Sequence, residues 1–156
     1  MNCCIGWSEV KLAVLCIAAG NSLRGDDGAA HRVLQLLMPS SGAKLRAVQQ
    51  LTPELAAEIA GMQTVIFLDA DCAAAEPRVE RVGLSAPGGT PLAHGMAPAE
   101  VVRLAERLYG FRGTAFVCHL PAADFDGGET LSPRAEAGAR AAAGMIEVIC
   151  RDFQVL

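Results

Sequence analysis

Apolar residues recur along this chain in two rhythms. The first is continuous. Residues 12–19 form an unbroken apolar run, too short to cross a bilayer and suited to a strand buried on both faces. Residues 64–68 are β-rich and apolar in the same way and end at Asp69, and residues 114–118 make a third such run. The second rhythm is helical. Ala30, Val33, Leu34 and Leu37 fall at i, i+3, i+4 and i+7, and Pro39 and Gly42 close that segment. Thr52-Pro53-Glu54 supplies a cap candidate, a first-turn proline and a first-turn acid; Leu55 and Ile59 then share a face, and Gly61 stops it. Pro98 opens a helix with Val101, Leu104, Ala105 and Leu108 on one side. Ser132-Pro133 starts a last helix whose buried stripe is Ala135, Ala139, Ala142, Ile146 and Ile149.

Two weaker segments complete the pattern. Residues 44–48 predict a short strand, and residues 78–84 alternate like a half-exposed edge strand, antiparallel to its neighbour. Residues 119–130 read as an irregular loop, and Pro87-Gly88-Gly89 starts a loop that carries His94. The order β-α-β-α-β-β-α-β-α predicts an α/β fold: one domain over residues 11–156, with a mostly parallel twisted sheet of about five strands and helices on both faces. Residues 1–10 carry no pattern and are expected to be a poorly ordered extension.

Composition narrows the classes. At 156 residues, 52% of them apolar, the chain suits one folded domain rather than a disordered one. A formal charge of −4 with interspersed signs, and no basic stripe or aromatic platform, argues against nucleic acid. No secretory pattern or membrane span is evident, so the expectation is a cytoplasmic protein acting as a monomer. The six cysteines, Cys3, Cys4, Cys16, Cys72, Cys118 and Cys150, show no CxxC or zinc-ribbon spacing. That fits a reducing compartment, with Cys16 and Cys118 as small hydrophobes.

Ligands in open α/β sheets sit beyond the carboxyl ends of the strands. Asp26 and Asp27 follow the first strand, Asp69 ends the third, and His94 lies in the loop after the fourth. Together they offer an oxygen, oxygen, nitrogen ligand set for an open metal site. Spacing leaves other readings open: helix capping for Asp26 or Asp27, a turn for Asp69, a solvated loop for His94. His31 reads as structural and His119 as a weaker ligand. The glycines of residues 18–28 match neither GxGxxG nor GxxxxGK[ST], and an acid pair would repel phosphate.

Gly20-Asn21-Ser22-Leu23-Arg24-Gly25-Asp26-Asp27-Gly28 resembles the signature loop of the nickel–iron hydrogenase maturation endopeptidases. Further blocks agree in order: Gln50-Leu51-Thr52-Pro53-Glu54-Leu55, Val65-Ile66-Phe67-Leu68-Asp69-Ala70, the His94-Gly95-Met96-Ala97-Pro98 loop with its following helix, and Phe125-Asp126 with Leu131-Ser132-Pro133. The resemblance spans nearly the whole chain. It departs at Ala18-Ala19 and Ala30, where glycine is usual, at Leu120, where an acid is frequent, and at Gly127-Gly128-Glu129.

The resemblance implies an endopeptidase, a hydrolase that removes the C-terminal extension of the hydrogenase large-subunit precursor after nickel insertion, with the substrate-borne nickel as the recognition signal. By position it implies that Asp27, Asp69 and His94 contact that metal and carry catalysis, with Asp26 beside them as a further catalytic candidate. Another divalent metal is expected to be able to occupy the site in vitro. No Ser-His-Asp order or HExxH helix is visible, so an activated water is the simplest nucleophile. Two rivals stand beside this reading. One is a signalling receiver, although the chain has Cys118-His119 where a receiver wants lysine. The other is a docking module that kept the pocket without cleavage.

Overall fold

The computed structural model describes residues 14–37, 41–83 and 95–154. Five strands form one sheet in the order β2-β1-β3-β5-β4. They are β1 (Val14–Ala19), β2 (Lys44–Val48), β3 (Thr64–Asp71), β4 (Arg78–Arg81) and β5 (Thr114–Pro121). The first four in that order are parallel, and β4 pairs antiparallel with β5. The helices are α1 (Ala29–Leu37), α2 (Leu55–Ile59), α3 (Pro98–Tyr109) and α4 (Pro133–Gln154), with a 3-10 turn at Gly25–Gly28 leading into α1.

The apolar runs become strands because both faces of the sheet are covered. Along β1, Val14, Cys16 and Ala18 pack with α1 and α4, while Leu15 and Ile17 pack with α2 and α3. The central β3 divides the same way, Ile66 and Leu68 to one side and Val65 and Phe67 to the other. This period-two split of continuous apolar sequence is what a doubly covered parallel sheet demands. Cys16, Cys118 and Cys150 are buried free thiols in the α1/α4 layer, as small hydrophobes; burial pushes the Cys118 thiol up to about 12. Cys72 is exposed, and Cys3 and Cys4 lie outside the described residues.

Several expectations change in detail. Residues 119–121 belong to β5 rather than to a loop, because they pair with Asp69, Ala70 and Asp71 of a β3 that runs beyond residue 68. Leu108 is 63% exposed, so the buried face of α3 is made by Val101, Val102 and Ala105, with Leu104 partly buried beside them. Thr52 does not cap α2 with its side chain; its backbone carbonyl accepts from the Leu55 N–H at 3.2 Å, and the helix is one short turn and a half. The edge strand is confirmed, ending at Arg81. The unpatterned residues 1–10 and the 84–94 loop lie outside the described residues. No helix among the described residues is long and apolar enough to cross a membrane.

The α4 packing rests on Gly138, where a Cβ would meet the Pro121 ring at 2.8 Å, whereas one at Gly144 meets nothing within 4 Å. Gly138→Ala is expected to destabilise by about 1–3 kcal/mol through overpacking. Gly144→Ala is expected to stabilise by about 0.5–1 kcal/mol through helix propensity. Urea-unfolding midpoints of the two variants read both signs in one assay.

Candidate functional site

β1 connects through α1 to β2 on one side, and β2 returns through α2 to β3 on the other. The strand order therefore switches between β1 and β3, and the crevice beyond their carboxyl ends is where such sheets bind ligands. A cavity of about 450 Å³ lies there. Asn21, Arg24 and Asp27 line it from the loop after β1, Gln49 to Leu51 from the segment after β2, and Phe67 to Ala70 from β3.

The post-β1 loop is built around close backbone approaches. Gly20 has φ +142°, and a Cβ there would lie 2.1 Å from the Asp27 carbonyl oxygen, so no other residue fits. The Asn21 N–H donates to Asp27 Oδ2 at 2.9 Å, and Asn21 Oδ1 accepts from the Leu23 N–H at 2.9 Å. These bonds turn the half-buried Asp27 carboxylate towards the cavity.

Asp69 follows Phe67 by two residues and so shares the α2/α3 face of β3. It lines the same cavity as Asp27. Burial is the main force that pushes the Asp69 carboxyl up to about 6. The Ala70 N–H pulls it down, and the charges of Asp27 and Asp71 push it further up. Two carboxylates on one cavity repel each other when both are charged, an arrangement that a cation between them would relieve.

Asp26 has a different place. It is fully buried and does not line the cavity. Its Oδ2 accepts from the N–H groups of Ala123 at 2.7 Å and Asp124 at 3.0 Å and from the Ser132 hydroxyl at 2.7 Å; its Oδ1 accepts from the Ser132 N–H at 2.7 Å. Desolvation alone would raise its carboxyl, but the hydrogen bonds from Ser132, Ala123 and Asp124 outweigh it and hold the group below the usual carboxylate range. Asp26 is thus neither a helix cap nor free for catalysis, which corrects its candidacy; it is a clip between the β1 loop and the segment before α4. Ser132 Oγ accepts the Ala135 N–H at 3.2 Å in turn, so one hydroxyl joins the clip to the start of α4.

The remaining candidates separate. His31 bonds the Val48 carbonyl at 3.3 Å, a structural role. His119 lies between Asp71, 3.3 Å from Nδ1, and Glu80, 3.6 Å from Nε2. It stands in register with Asp69 but does not line the cavity. His94 lies outside the described residues. At the next residue, Gly95 (φ +131°), an added Cβ would meet Gln50 Cβ at 3.1 Å and the Leu51 carbonyl oxygen at 3.3 Å, and Met96 donates its N–H to the Leu51 carbonyl at 3.1 Å. Among the described residues, no three His, Cys, Asp or Glu side chains form a group able to hold a metal.

No family model matches the sequence, and no curated protein does either. Solved structures do. A [NiFe] hydrogenase maturation protease, HycI, from Thermococcus kodakarensis KOD1 is similar with a TM-score of 0.68 at 19% identity, over 92% of this chain and 95% of that one. HybD of the same organism gives 0.68 at 22% identity, over 88% and 99%. The hydrogenase maturating endopeptidase HybD from E. coli gives 0.66 at 15%, over 90% and 93%. This chain has the fold of the hydrogenase maturation proteases. A receiver instead orders its sheet 2-1-3-4-5, so the antiparallel β4 outside β5 sets that rival aside.

Two stability measurements test the geometry. Asp26→Asn should cost about 2–4 kcal/mol, because a buried amide cannot accept what four donors offer. The native Asp26 contribution is full above the unfolded carboxyl pKa and is lost as pH falls below it, since the folded value is depressed. Asp69 has the opposite sign: its folded pKa of about 6 exceeds the unfolded value, so stability falls as pH rises from the unfolded value through 6. Asp69→Asn should therefore stabilise the protein by about 1–3 kcal/mol at pH 8, with the gain gone near pH 4. Urea titrations across pH measure both.

Proposed function

We propose that this protein is an endopeptidase of hydrogenase maturation, cutting the C-terminal extension from a nickel–iron hydrogenase large-subunit precursor once nickel is in place. The observation that carries the reading is the convergence of Asp27 and Asp69 on one cavity at the switch point of this particular fold. Two close carboxylates, one pushed up to about 6, suit capture of a cation that arrives with the substrate. Completing the set requires a third donor. His94 is that donor in this reading, supported by Met96, two residues on, which lines the cavity and donates its N–H to the Leu51 carbonyl at 3.1 Å. Hard carboxylate oxygens with an imidazole are a fitting set for a divalent nickel ion.

The chemistry follows from those roles. Nickel is cargo of the precursor, so a precursor without it lacks the group that the carboxylates recognise. Capture through Asp27, Asp69 and His94 would set the scissile carbonyl beside the site, where the ion would polarise a water; addition of that water and cleavage of the C–N bond would leave a carboxyl group on the large subunit and an amine on the released extension. Ser22 is exposed and has no histidine partner among the described residues, so it offers no triad. A docking module with the same pocket would bind the precursor and leave it whole.

Precursor incubated with and without nickel, read by mass spectrometry, separates these readings. The expected outcome is loss of the C-terminal extension in the nickel-loaded sample only. Asp69→Asn and His94→Ala should keep native circular dichroism and abolish processing, while Asp27→Glu, which keeps the charge and the oxygen donors, should be milder. Full processing by a well-folded Asp69→Asn or His94→Ala protein would overturn nickel capture. Binding without cleavage by the wild type would favour the docking module.

A further inference from the structure

The cavity that holds Asp27 and Asp69 also holds a cation. Arg24 lines it, and among the described residues it is the one basic side chain that does. Four other arginines are ion-paired, Arg32 and Arg140 to Glu136 at 3.0 and 2.9 Å, Arg46 to Glu58 at 3.3 Å and Arg78 to Glu80 at 2.7 Å, whereas the exposed Arg24 is set apart by the cavity that it lines. Arg24 makes no ion pair or side-chain hydrogen bond to any described residue, although two carboxylates line the same cavity. Its side chain is thus uncommitted where the opposite charge is near.

Its backbone is held firmly. The Arg24 N–H donates to the Asn21 carbonyl at 3.1 Å. On one side the Leu23 carbonyl accepts from Gly128 at 2.9 Å; on the other, Gly25 donates to the Gly128 carbonyl at 2.8 Å. Gly25 has φ +56°, and a Cβ there would strike the carbonyl oxygens of Asp124 and Asp126 at 2.6 and 2.8 Å, so only glycine lets the loop lie this close to that segment. The Asp26 clip lies immediately beyond. A fixed stem with an unspent guanidinium is the form of a group kept for a ligand.

We propose that Arg24 takes a negatively charged oxygen of the substrate. The inference rests on the proteolytic reading above and adds a recognition element to it. A guanidinium repels the captured metal ion, so its donors turn to oxygen instead. Two sources share that chemistry: the oxyanion that develops on the scissile carbonyl, and a carboxylate of the precursor near the cut.

The test uses nickel-loaded precursor with the wild type and with Arg24→Ala and Arg24→Lys, followed as initial rates. Arg24→Ala should lose about 100-fold in kcat/KM. Arg24→Lys should fall between, since it keeps the charge and loses the planar fork. Added methylguanidine should restore part of the Arg24→Ala rate, which a merely structural role would not permit. A loss carried by kcat assigns the oxyanion; a loss carried by KM assigns a precursor carboxylate. Calorimetric titration with nickel alone should be unchanged in Arg24→Ala. Wild-type rates in Arg24→Ala, absence of guanidine rescue, or loss of nickel binding with the rate would overturn the assignment. A wild type inert on loaded precursor takes the proteolytic reading with it, whereas an active wild type beside an equally active Arg24→Ala overturns the role of Arg24 alone.

Discussion

One buried carboxylate holds the site together. Asp26 gathers two N–H groups from the chain after β5 and both the N–H and hydroxyl of Ser132, across 97 to 106 residues of sequence. A charge removed from water is tolerated only when its acceptor capacity is filled, and here it is. The clip fixes the β1 loop against the start of α4. Asp27 follows it directly and Arg24 lies two residues before it, so two cavity-lining residues flank one that does not line the cavity.

The sheet supplies the second constraint. Reversal of strand order between β1 and β3 opens a crevice, and Phe67 and Leu51 floor it with apolar surface. Low polarity beneath Asp69 is what lifts its carboxyl towards neutrality. The same burial costs stability, an electrostatic conflict which the surrounding fold carries.

Much of this was legible in the chain itself. Continuous apolar runs bounded by turn residues located β1, β3 and β5, and the 3.6 period located α1, α3 and α4, because both signals record burial directly. Asp27 and Asp69 were legible as strand-end acids in an α/β order. Asp26 was not separable from Asp27, since adjacent acids look alike until distant donors claim one of them. The length of β5 was equally hidden: residues 119–121 are strand because β3 runs on beside them, a pairing no local pattern encodes. Arg24 escaped notice for a related reason, since its distinction is the cavity that it lines, which only the folded chain brings together.

The edges of the sheet carry a separate consequence. β2 sets Lys44 and Arg46 along one margin, both drawn to Glu58, and β4 sets Arg78, Glu80 and Arg81 along the other. Charged margins resist the addition of foreign strands. With both margins guarded in this way, the open approach to the cavity is from the strand ends, and a chain that comes there is not drawn into a shared sheet.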